Sequence, residues 1–421
     1  MICRRALEAL RNGVPNRDAV RVLGSGQPEI DHRFSEQLAL VGSAVQEERQ
    51  VPGLLIAGGF GTGKSHLLEY FEHLAISGNF VCSRIVISKE TPLYDPAKVY
   101  SAAIEAAVVP KLTGQAIKEI ALRLKPDSLR YAEFSQWANR DDSGVNALFP
   151  ATLLLHERLK NDLDMVEEIT SFWSGDKLPV KRARDGLKQI GQTSAYVLKA
   201  VPVRELALQR FRFAARLILG AGYNGWVLLI DEVELIGRYS LLQRGKSYAE
   251  LARWMGKIAG QQYPGLTAVA TITDDFATKV LSDKGDRDSV RPKLHSKGTD
   301  EFMALAALAE VGMRIIEREA ITLSNPTQST LKRTYDQLRD IYREAYGWSP
   351  PDFVFPEWAL HTRAMRSYVR RWIYEWDLKR LFPDEKQEIE ERVLGSDYTE
   401  DKDLELDSYS GETDEVMREI G

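Results

Sequence analysis

Residues 58–65, which read GGFGTGKS, constrain this chain more than any other feature, because they satisfy the G-x-x-x-x-G-K-[ST] pattern of phosphate-binding loops in full. The pattern needs a strand before the loop and a helix after it. Leu54–Ala57 is a short apolar run that predicts a buried parallel strand, and Leu67, Leu68 and Phe71 recur at helical spacing beyond the loop. This order of strand, loop and helix makes a nucleoside triphosphate the first ligand to consider.

The chemistry of such a loop predicts roles for its residues. Glycines allow backbone N–H groups to face the phosphates, and the helix that follows adds the positive end of its dipole. Lys64 is predicted to reach the β and γ phosphates, and the Ser65 hydroxyl to hold Mg²⁺. The predicted nucleotide-binding residues are Gly58, Gly59, Phe60, Gly61, Thr62, Gly63, Lys64 and Ser65. The alternative, a glycine-rich turn with a chance lysine, is disfavoured by the flanking strand and helix.

A second motif lies far downstream, where an apolar strand beginning at Trp226 ends in Asp231 and Glu232. A parallel strand delivers the side chains at its carboxyl end to the edge of the sheet, where ligands of open α/β folds bind. Asp231 is suited to hold Mg²⁺, and Glu232 is suited to polarise an attacking water. Taken alone, the motif fits a buried strand with a solvated acidic end equally well. Small-molecule kinases also carry phosphate loops, but the adjacent Asp-Glu pair favours water as the acceptor.

Two threonines close another apolar strand, predicted over residues 266–273. Thr271 and Thr273 occupy the place of a sensor of the γ-phosphate, where a hydroxyl could orient the lytic water. Strand-end threonines are also common as simple caps, so both interpretations stay open.

Four arginines are candidates for contacts with phosphate. Arg287 and Arg291 lie in a stretch predicted as a charged loop, where either could act as a finger on the nucleotide of a neighbouring subunit. Surface salt bridges are the alternative for both. Arg366 and Arg370 fall one turn apart on one face of a predicted helix. They could pair with phosphate from a helical lid, contact nucleic-acid backbone, or form a plain basic surface.

These patterns predict an α/β protein built on the parallel sheet of a P-loop NTPase. The 421 residues leave room for two or three domains. About 165 residues separate the two motifs, and the largely helical stretch between them is interpreted as an insertion, either a partner-binding platform or a packing subdomain. The predicted segments are N-terminal helices (1–50), the first part of the ATPase core (51–109), a helical insertion (110–220), the second part of the core (221–299), a helical lid (300–383) and an acidic tail (384–421).

Charge and cysteine content narrow the class of protein further. The net charge of −5 conceals an acidic end, because residues 384–421 carry a balance of −11 and the rest of the chain about +6. This tail is predicted to be mobile and solubilising, with a regulatory mimic of nucleic acid as the alternative. Cys3 and Cys82 form no disulfide or zinc pattern, and no apolar stretch approaches the ~20 residues that cross a bilayer. A cytoplasmic protein without a membrane partner is expected.

Five stretches together resemble the BREX-system ATP-binding proteins of the BrxD-like family, and the resemblance spans residues 6–380. They are residues 9–15, 59–68, 91–96, 225–234 and 366–377. Residues 91–96 and the N-terminal pair of helices are the features most particular to this group. One position departs from the pattern, because Met365 stands where proline is expected before the lid arginine.

The resemblance implies an AAA+-like fold encoded in a bacterial antiviral island, with a large Lhr-related helicase among its neighbours. By position it implies that Lys64 and Ser65 bind phosphate and magnesium, that Asp231 and Glu232 form the hydrolytic pair, and that Arg366 is the lid arginine. His66, inside the second stretch, is counted with the nucleotide-binding residues. The leading hypothesis is an ATPase that assembles as a homo-oligomer and acts on double-stranded DNA or a DNA-processing partner. The competing hypothesis is a nucleotide-gated scaffold with negligible hydrolysis.

Overall fold

A six-stranded sheet forms the centre of the computed structural model, which describes residues 2–13, 16–112, 114–355, 364–383 and 397–404. The strands are β1 (Leu54–Ala57), β2 (Val81–Val86), β3 (Ala107–Val108), β4 (Trp226–Asp231), β5 (Leu266–Ile272) and β6 (Ile321–Thr322). Their order across the sheet is β3-β2-β4-β5-β1-β6. Every neighbouring pair is parallel except β2 with β3. Because the parallel strands share one direction, their carboxyl ends meet at one edge, which confirms a mainly parallel α/β architecture.

Helices surround this sheet. In chain order they are α1 (Ile2–Asn12), α2 (Arg17–Leu23), α3 (Pro28–Gln46), α4 (Lys64–Ser77), α5 (Pro96–Glu105), α6 (Ala116–Leu122), α7 (Leu129–Ala138), α8 (Leu148–Arg158), α9 (Leu163–Ser174), α10 (Val180–Gln189), α11 (Val203–Gly220), α12 (Leu241–Trp254), α13 (Asp286–His295), α14 (Asp300–Arg318), α15 (Gln328–Tyr346) and α16 (Met365–Leu381). Short 3₁₀ turns cover Asp141–Ser143, Val233–Arg238 and Lys402–Leu404, and a π-helical turn covers Ala277–Asp283. Among the described residues, no helix is both long and apolar enough to cross a bilayer.

Side chains of successive strand residues face opposite sides of the sheet and so build two hydrophobic clusters. On β4, Trp226 and Leu228 point into one cluster, and Val227 and Leu229 point into the other. The smaller cluster is covered by α3 and α4, and the larger one by α5 to α14. This three-layer arrangement fixes the sheet edge on which the candidate site lies.

The helical stretch predicted as an insertion shares the larger cluster with the sheet. Phe211 of α11 stacks on Trp226 of β4 with ring centroids 5.5 Å apart, and Tyr100 of α5 meets Phe211 edge-on at 4.9 Å. The Trp226 indole N–H donates to the Ser83 hydroxyl of β2 at 2.9 Å. These contacts make one continuous apolar core of the sheet and α6 to α11, and the division into separate domains stays a prediction.

A third cluster joins the two ends of the chain, because α1 and α2 pack with α15 and α16. Trp372 and Trp376 of α16 are buried there, and both meet Tyr335 of α15 edge-on. Trp348 lies at the border of the cluster, and Trp358 is outside the described residues. The helical pairing brings the start of α16 close to the glycine-rich loop.

Three sequence predictions differ from the structure. The stretch containing Arg287 and Arg291 was predicted as a loop, which is wrong because it forms α13, whose Val290 and Leu294 are buried one turn apart. Residues 300–383 were predicted to be helical throughout, but the structure contains β6 among them. This strand has only two residues and is too short to show an alternating pattern. The predicted mobile tail packs on the body at residues 397–404, while its other residues lie outside the described parts.

Candidate nucleotide site

The glycine-rich loop of residues 58–63 connects β1 to α4 at the carboxyl edge of the sheet. Its backbone needs glycine at specific points. Gly63 has a φ of 112°, and a Cβ on Gly58 would lie only 2.7 Å from the Thr62 hydroxyl oxygen. No described side chain caps the start of α4, so the N–H groups of its first turn are available to an anion.

Lys64 occupies the first position of α4 with its side chain buried and turned back toward the loop. Its Nζ donates to the Gly58 carbonyl at 2.8 Å and forms an ion pair with Glu234 at 3.4 Å. The ammonium also lies 5.4 Å from the centre of the Phe60 ring. This ion pair joins the loop to the turn after β4, although its two residues lie 170 positions apart in sequence.

Glu234 is a site residue that sequence reasoning missed. It lies in the Val233–Arg238 turn, and only 6% of its surface is exposed. Neither carboxylate oxygen accepts a hydrogen bond from a described residue. Burial raises the pKa of Glu234 to about 7, the nearby Lys64 cation acts in the opposite direction, and the Glu232 charge adds to the rise. The only sequence signal was an acidic residue among Val233, Leu235 and Ile236.

The raised pKa of Glu234 predicts a pH-dependent stability that requires no nucleotide. The folded chain holds this proton up to about pH 7, whereas the unfolded chain releases it near the ordinary value of 4.5. The free energy of unfolding should therefore fall as pH rises through that window, by on the order of 3 kcal/mol in total. Glu234→Gln should remove this contribution, as measured by urea unfolding of parent and variant between pH 5 and 8. The exposed Glu8→Gln serves as the control, and equal pH slopes in parent and Glu234→Gln would contradict the geometry.

Asp231, at the end of β4, is held from three directions. One carboxylate oxygen accepts from the Thr271 hydroxyl at 2.6 Å and from the Glu232 N–H at 3.1 Å. The other accepts from Arg84 of β2 at 3.1 Å, and Arg84 also pairs with Glu69 at 3.0 Å. Arg84 was not predicted from sequence, although its position on the strand beside β4 could have indicated it. These partners fix the orientation of the buried Asp231 carboxylate.

Glu232 directly follows β4 in a left-handed backbone conformation, with φ 61° and ψ 35°. For a residue with a side chain, this conformation costs about 1 kcal/mol, and such strain concentrates at functional sites. The Glu232 side chain is partly exposed, in contrast to its buried neighbours Asp231 and Glu234. The strained turn thus leaves Glu232 accessible to solvent, while Asp231 before it and Glu234 after it are buried.

The two predicted sensor threonines have different partners. Thr271 is fully buried and its hydroxyl faces Asp231, which makes it a support for that carboxylate. Thr273 is also buried, and its hydroxyl forms a hydrogen bond with the Tyr398 hydroxyl. Both lie at the carboxyl end of β5, the strand between β4 and β1.

The predicted trans-acting arginines lie on α13 and are exposed. Arg287 forms an ion pair with Glu317, and Arg291 pairs with Glu310 at 2.9 Å, both across to α14. The structure gives neither of them a contact with the glycine-rich loop of its own chain. A role on a neighbouring subunit's nucleotide stays a prediction.

Arg366 and His66 both lie beside the loop. The backbone N–H of Arg366 donates to the Gly61 carbonyl at 3.2 Å, and its side chain packs on Gly13 at the end of α1. The His66 ring nitrogen Nε2 lies 2.7 Å from the Gly24 carbonyl, and burial lowers the pKa of this imidazole. Arg370, one turn along α16, is exposed and lies over the Tyr374 ring.

A cavity of about 340 Å³ opens next to the loop, which falls within the size range of small-molecule sites. Five parts of the chain line it: the end of α1, the loop and His66, the turn between α2 and α3, the segment from β6 into α15, and the start of α16. The cavity is thus shaped by both ends of the chain as well as by the sheet edge.

The site defines an α/β protein in which a glycine-rich loop and an acidic strand end meet at one edge of a parallel sheet, beside a cavity. The sequence model of the BREX system ATP-binding protein BrxC/D family matches residues 2–176 and 193–370, so the chain belongs to this family. The resemblance seen in the sequence is confirmed, and this is a defence-related ATP-binding protein. No curated protein and no solved structure matched the chain.

Magnesium would have to be held by few protein ligands. The described residues contain no cluster of three or more His, Cys, Asp or Glu side chains suited to a metal. Mg²⁺ on nucleotides keeps most of its waters and needs only one or two oxygen ligands from the protein. Ser65 and Asp231, the two residues predicted to hold the ion, supply a hydroxyl and a carboxylate, which are donor types that Mg²⁺ accepts.

Proposed function

We propose that this protein is an AAA+-like P-loop ATPase that converts ATP and water to ADP and phosphate. The observation that carries the proposal is the 3.4 Å ion pair between Lys64 and Glu234, which joins the loop to the acidic strand end. The strand order supports it, because β5 lies between the loop strand β1 and the acidic strand β4, with Thr271 as its second-last residue and Thr273 directly after it. Phosphate release by the purified protein is the experiment that tests it.

In the proposed complex, the nucleoside occupies the 340 Å³ cavity and the triphosphate lies along the loop. The Lys64 ammonium moves from the Gly58 carbonyl and Glu234 to the phosphates, which are stronger acceptors. The first turn of α4 adds its uncapped N–H groups. Preference for ATP over GTP rests on the family's description.

In the proposed reaction, the Glu232 carboxylate takes a proton from a water molecule as the water oxygen bonds to the γ-phosphorus. The bond between that phosphorus and the β–γ bridging oxygen breaks, and ADP leaves with the electron pair. Ser65 and Asp231 would hold Mg²⁺, which neutralises charge on the phosphates. Arg84 and Thr271 orient Asp231 through their hydrogen bonds.

Helix α16 is proposed as a lid, since Arg366 at its start already contacts the loop through the Gly61 carbonyl. Its guanidinium would pair with phosphate and link the position of the lid to the state of the nucleotide. Arg287 and Arg291 are proposed as fingers in a homo-oligomer, where their exposed position on α13 leaves them accessible to a neighbour. The cytoplasm is the proposed location.

A nucleotide-gated scaffold is the second candidate. The hydrogen bond between the Thr273 and Tyr398 hydroxyls favours this candidate. While Thr273 is bonded to Tyr398, its hydroxyl does not orient a water molecule for hydrolysis. Native mass measurement with and without a non-hydrolysable ATP analogue, read beside phosphate release, separates the two candidates. Assembly that depends on the analogue, without phosphate release from ATP, would select the scaffold.

Double-stranded DNA is the proposed target, either directly or through a DNA-processing partner such as an Lhr-like helicase. Outside its acidic end the chain carries about +6, so direct binding should weaken steeply with salt. We expect duplex DNA to raise ATP turnover at low salt, and this stimulation to fall by about tenfold or more between 50 and 200 mM salt. Phosphate release measured during a DNA titration at each salt concentration checks this. A response that is flat in salt would exclude direct contact with the DNA backbone.

A further inference from the structure

Residues 397–404, here called the acidic strap, pack on the body although they belong to the acidic end of the sequence. They lie on residues 233–238, Arg244 and residues 273–284, here together called the docking surface. The 233–238 part is the turn that carries Glu234, and the 273–284 part begins directly after β5. The strap therefore touches two segments that also shape the candidate nucleotide site.

The Tyr398 side chain of the strap packs closely against two residues of the docking surface, Phe276 and Gly237. Its ring meets Phe276 edge-on, with centroids 5.6 Å apart and planes at 88°. A Cβ on Gly237 would lie 2.8 Å from the Tyr398 ring, so glycine at that position makes room for it. The edge-on aromatic contact and the space left by the glycine indicate that the Tyr398 side chain occupies a specific binding position.

The Tyr398 hydroxyl completes a directed chain of hydrogen bonds. It donates to Asp275 at 2.9 Å and is bonded to the Thr273 hydroxyl. Because a phenol has one hydrogen, Thr273 must be the donor in the second bond. The hydrogen of a candidate sensor hydroxyl is therefore directed to the strap.

Two acidic side chains of the strap meet two arginines of the body. Asp401 pairs with Arg238 at 2.7 Å, and its backbone N–H donates to the Arg238 carbonyl at 2.9 Å. Glu400 pairs with Arg244 at 2.7 Å. Arg244 is buried and also holds Asp286 through two nitrogens, so its position is fixed before the strap arrives. The docking surface thus offers positive charge at the two points where the strap carries negative charge.

From these contacts we propose that the docking surface is a binding site for an acidic segment bearing a tyrosine, that its occupant is the strap of the same chain, and that docking restrains ATP turnover. The restraint rests on the proposed function, whereas the docking does not. Docking fixes the Thr273 hydroxyl and the turn that carries Glu234. ATP hydrolysis at the nucleotide site is therefore unrestrained only when the strap has dissociated from the docking surface.

Hydrogen exchange of the full-length protein without nucleotide tests the docking. Tyr398→Phe keeps the ring and loses one neutral hydroxyl, worth about 0.5–1.5 kcal/mol, so exchange in residues 397–404 should quicken about two- to twelvefold. Tyr398→Ala should quicken it further, and Tyr374→Phe on α16 should leave it unchanged. Exchange at the unprotected rate in the parent protein would overturn the docking.

Phosphate release by the same proteins tests the restraint. Turnover should scale with the undocked fraction, so Tyr398→Phe should raise it by up to the same two- to twelvefold factor. A synthetic peptide of residues 397–404 should lower the turnover of Tyr398→Ala, and the same peptide carrying Tyr398→Ala should not. Unchanged turnover in a variant whose strap exchanges faster would overturn the restraint. A parent protein with a protected strap but no turnover would overturn the proposed function and leave the docking standing.

Discussion

Glu232→Gln is expected to lower ATP turnover by about 10²- to 10⁴-fold, the usual contribution of a general base, while leaving ATP affinity within about threefold of the parent. The amide keeps the shape of the side chain but does not accept the proton of the attacking water. Asp231, Lys64 and the loop are untouched by the change, so the nucleotide should still bind. Phosphate release at saturating ATP and calorimetric titration of the analogue measure the two quantities separately.

The matched control for this prediction is Glu8→Gln, the same change at an exposed position on α1. It should leave both turnover and affinity unchanged. If Glu232→Gln hydrolyses ATP at the parent rate, Glu232 is not the base. Glu234 would then be tested next, since it is the buried acid two residues further along the same turn and pairs with Lys64.

Lys64→Met is expected to weaken ATP binding by about 10²-fold or more. Lys64 supplies a buried ammonium that contacts the loop, and each charge-assisted hydrogen bond to phosphate is worth about 1.5–3 kcal/mol. Methionine fills a similar volume and carries no charge. Calorimetric titration with Mg²⁺ and the non-hydrolysable analogue measures the loss, and the exposed Lys188→Met serves as the control.

Removing Lys64 also leaves the buried Glu234 without its cation, so a loss of folding must be distinguished from a loss of binding. Loss of this cation raises the pKa of Glu234 further, so the buried carboxyl takes up a proton. The double variant Lys64→Met with Glu234→Gln removes both charges and should recover the unfolding free energy at neutral pH, yet still fail to bind. Binding at the parent affinity by either variant would contradict the role of Lys64.

Local patterns were enough to predict the parts of the site that are close in sequence. The glycine loop between β1 and α4 was predicted because its spacing directly encodes a backbone conformation. The strand ending at Asp231 was predicted because a short apolar run followed directly by two acidic residues is typical of a buried strand that ends at the edge of a sheet. The N-terminal helices predicted within residues 1–50 are present as α1, α2 and α3.

Contacts between distant residues could not be predicted from those patterns. Lys64 meets Glu234 and Arg84 meets Asp231 only because strand order places these segments side by side, and order is a property of the whole fold. The strap was predicted to stay unpacked because its composition is acidic. The structure differs because Tyr398 and two arginine partners provide enough contacts for eight residues.

The central claim is that residues 58–65 and the acids at 231–234 form one nucleotide site. A structure determined with Mg²⁺ and a non-hydrolysable ATP analogue tests it most directly. The phosphates should lie along the loop, with the Lys64 ammonium moved off the Gly58 carbonyl and onto them, and with Glu232 facing the γ-phosphate. An analogue bound elsewhere, or a Lys64 still bonded to Gly58 with the analogue present, would contradict the account.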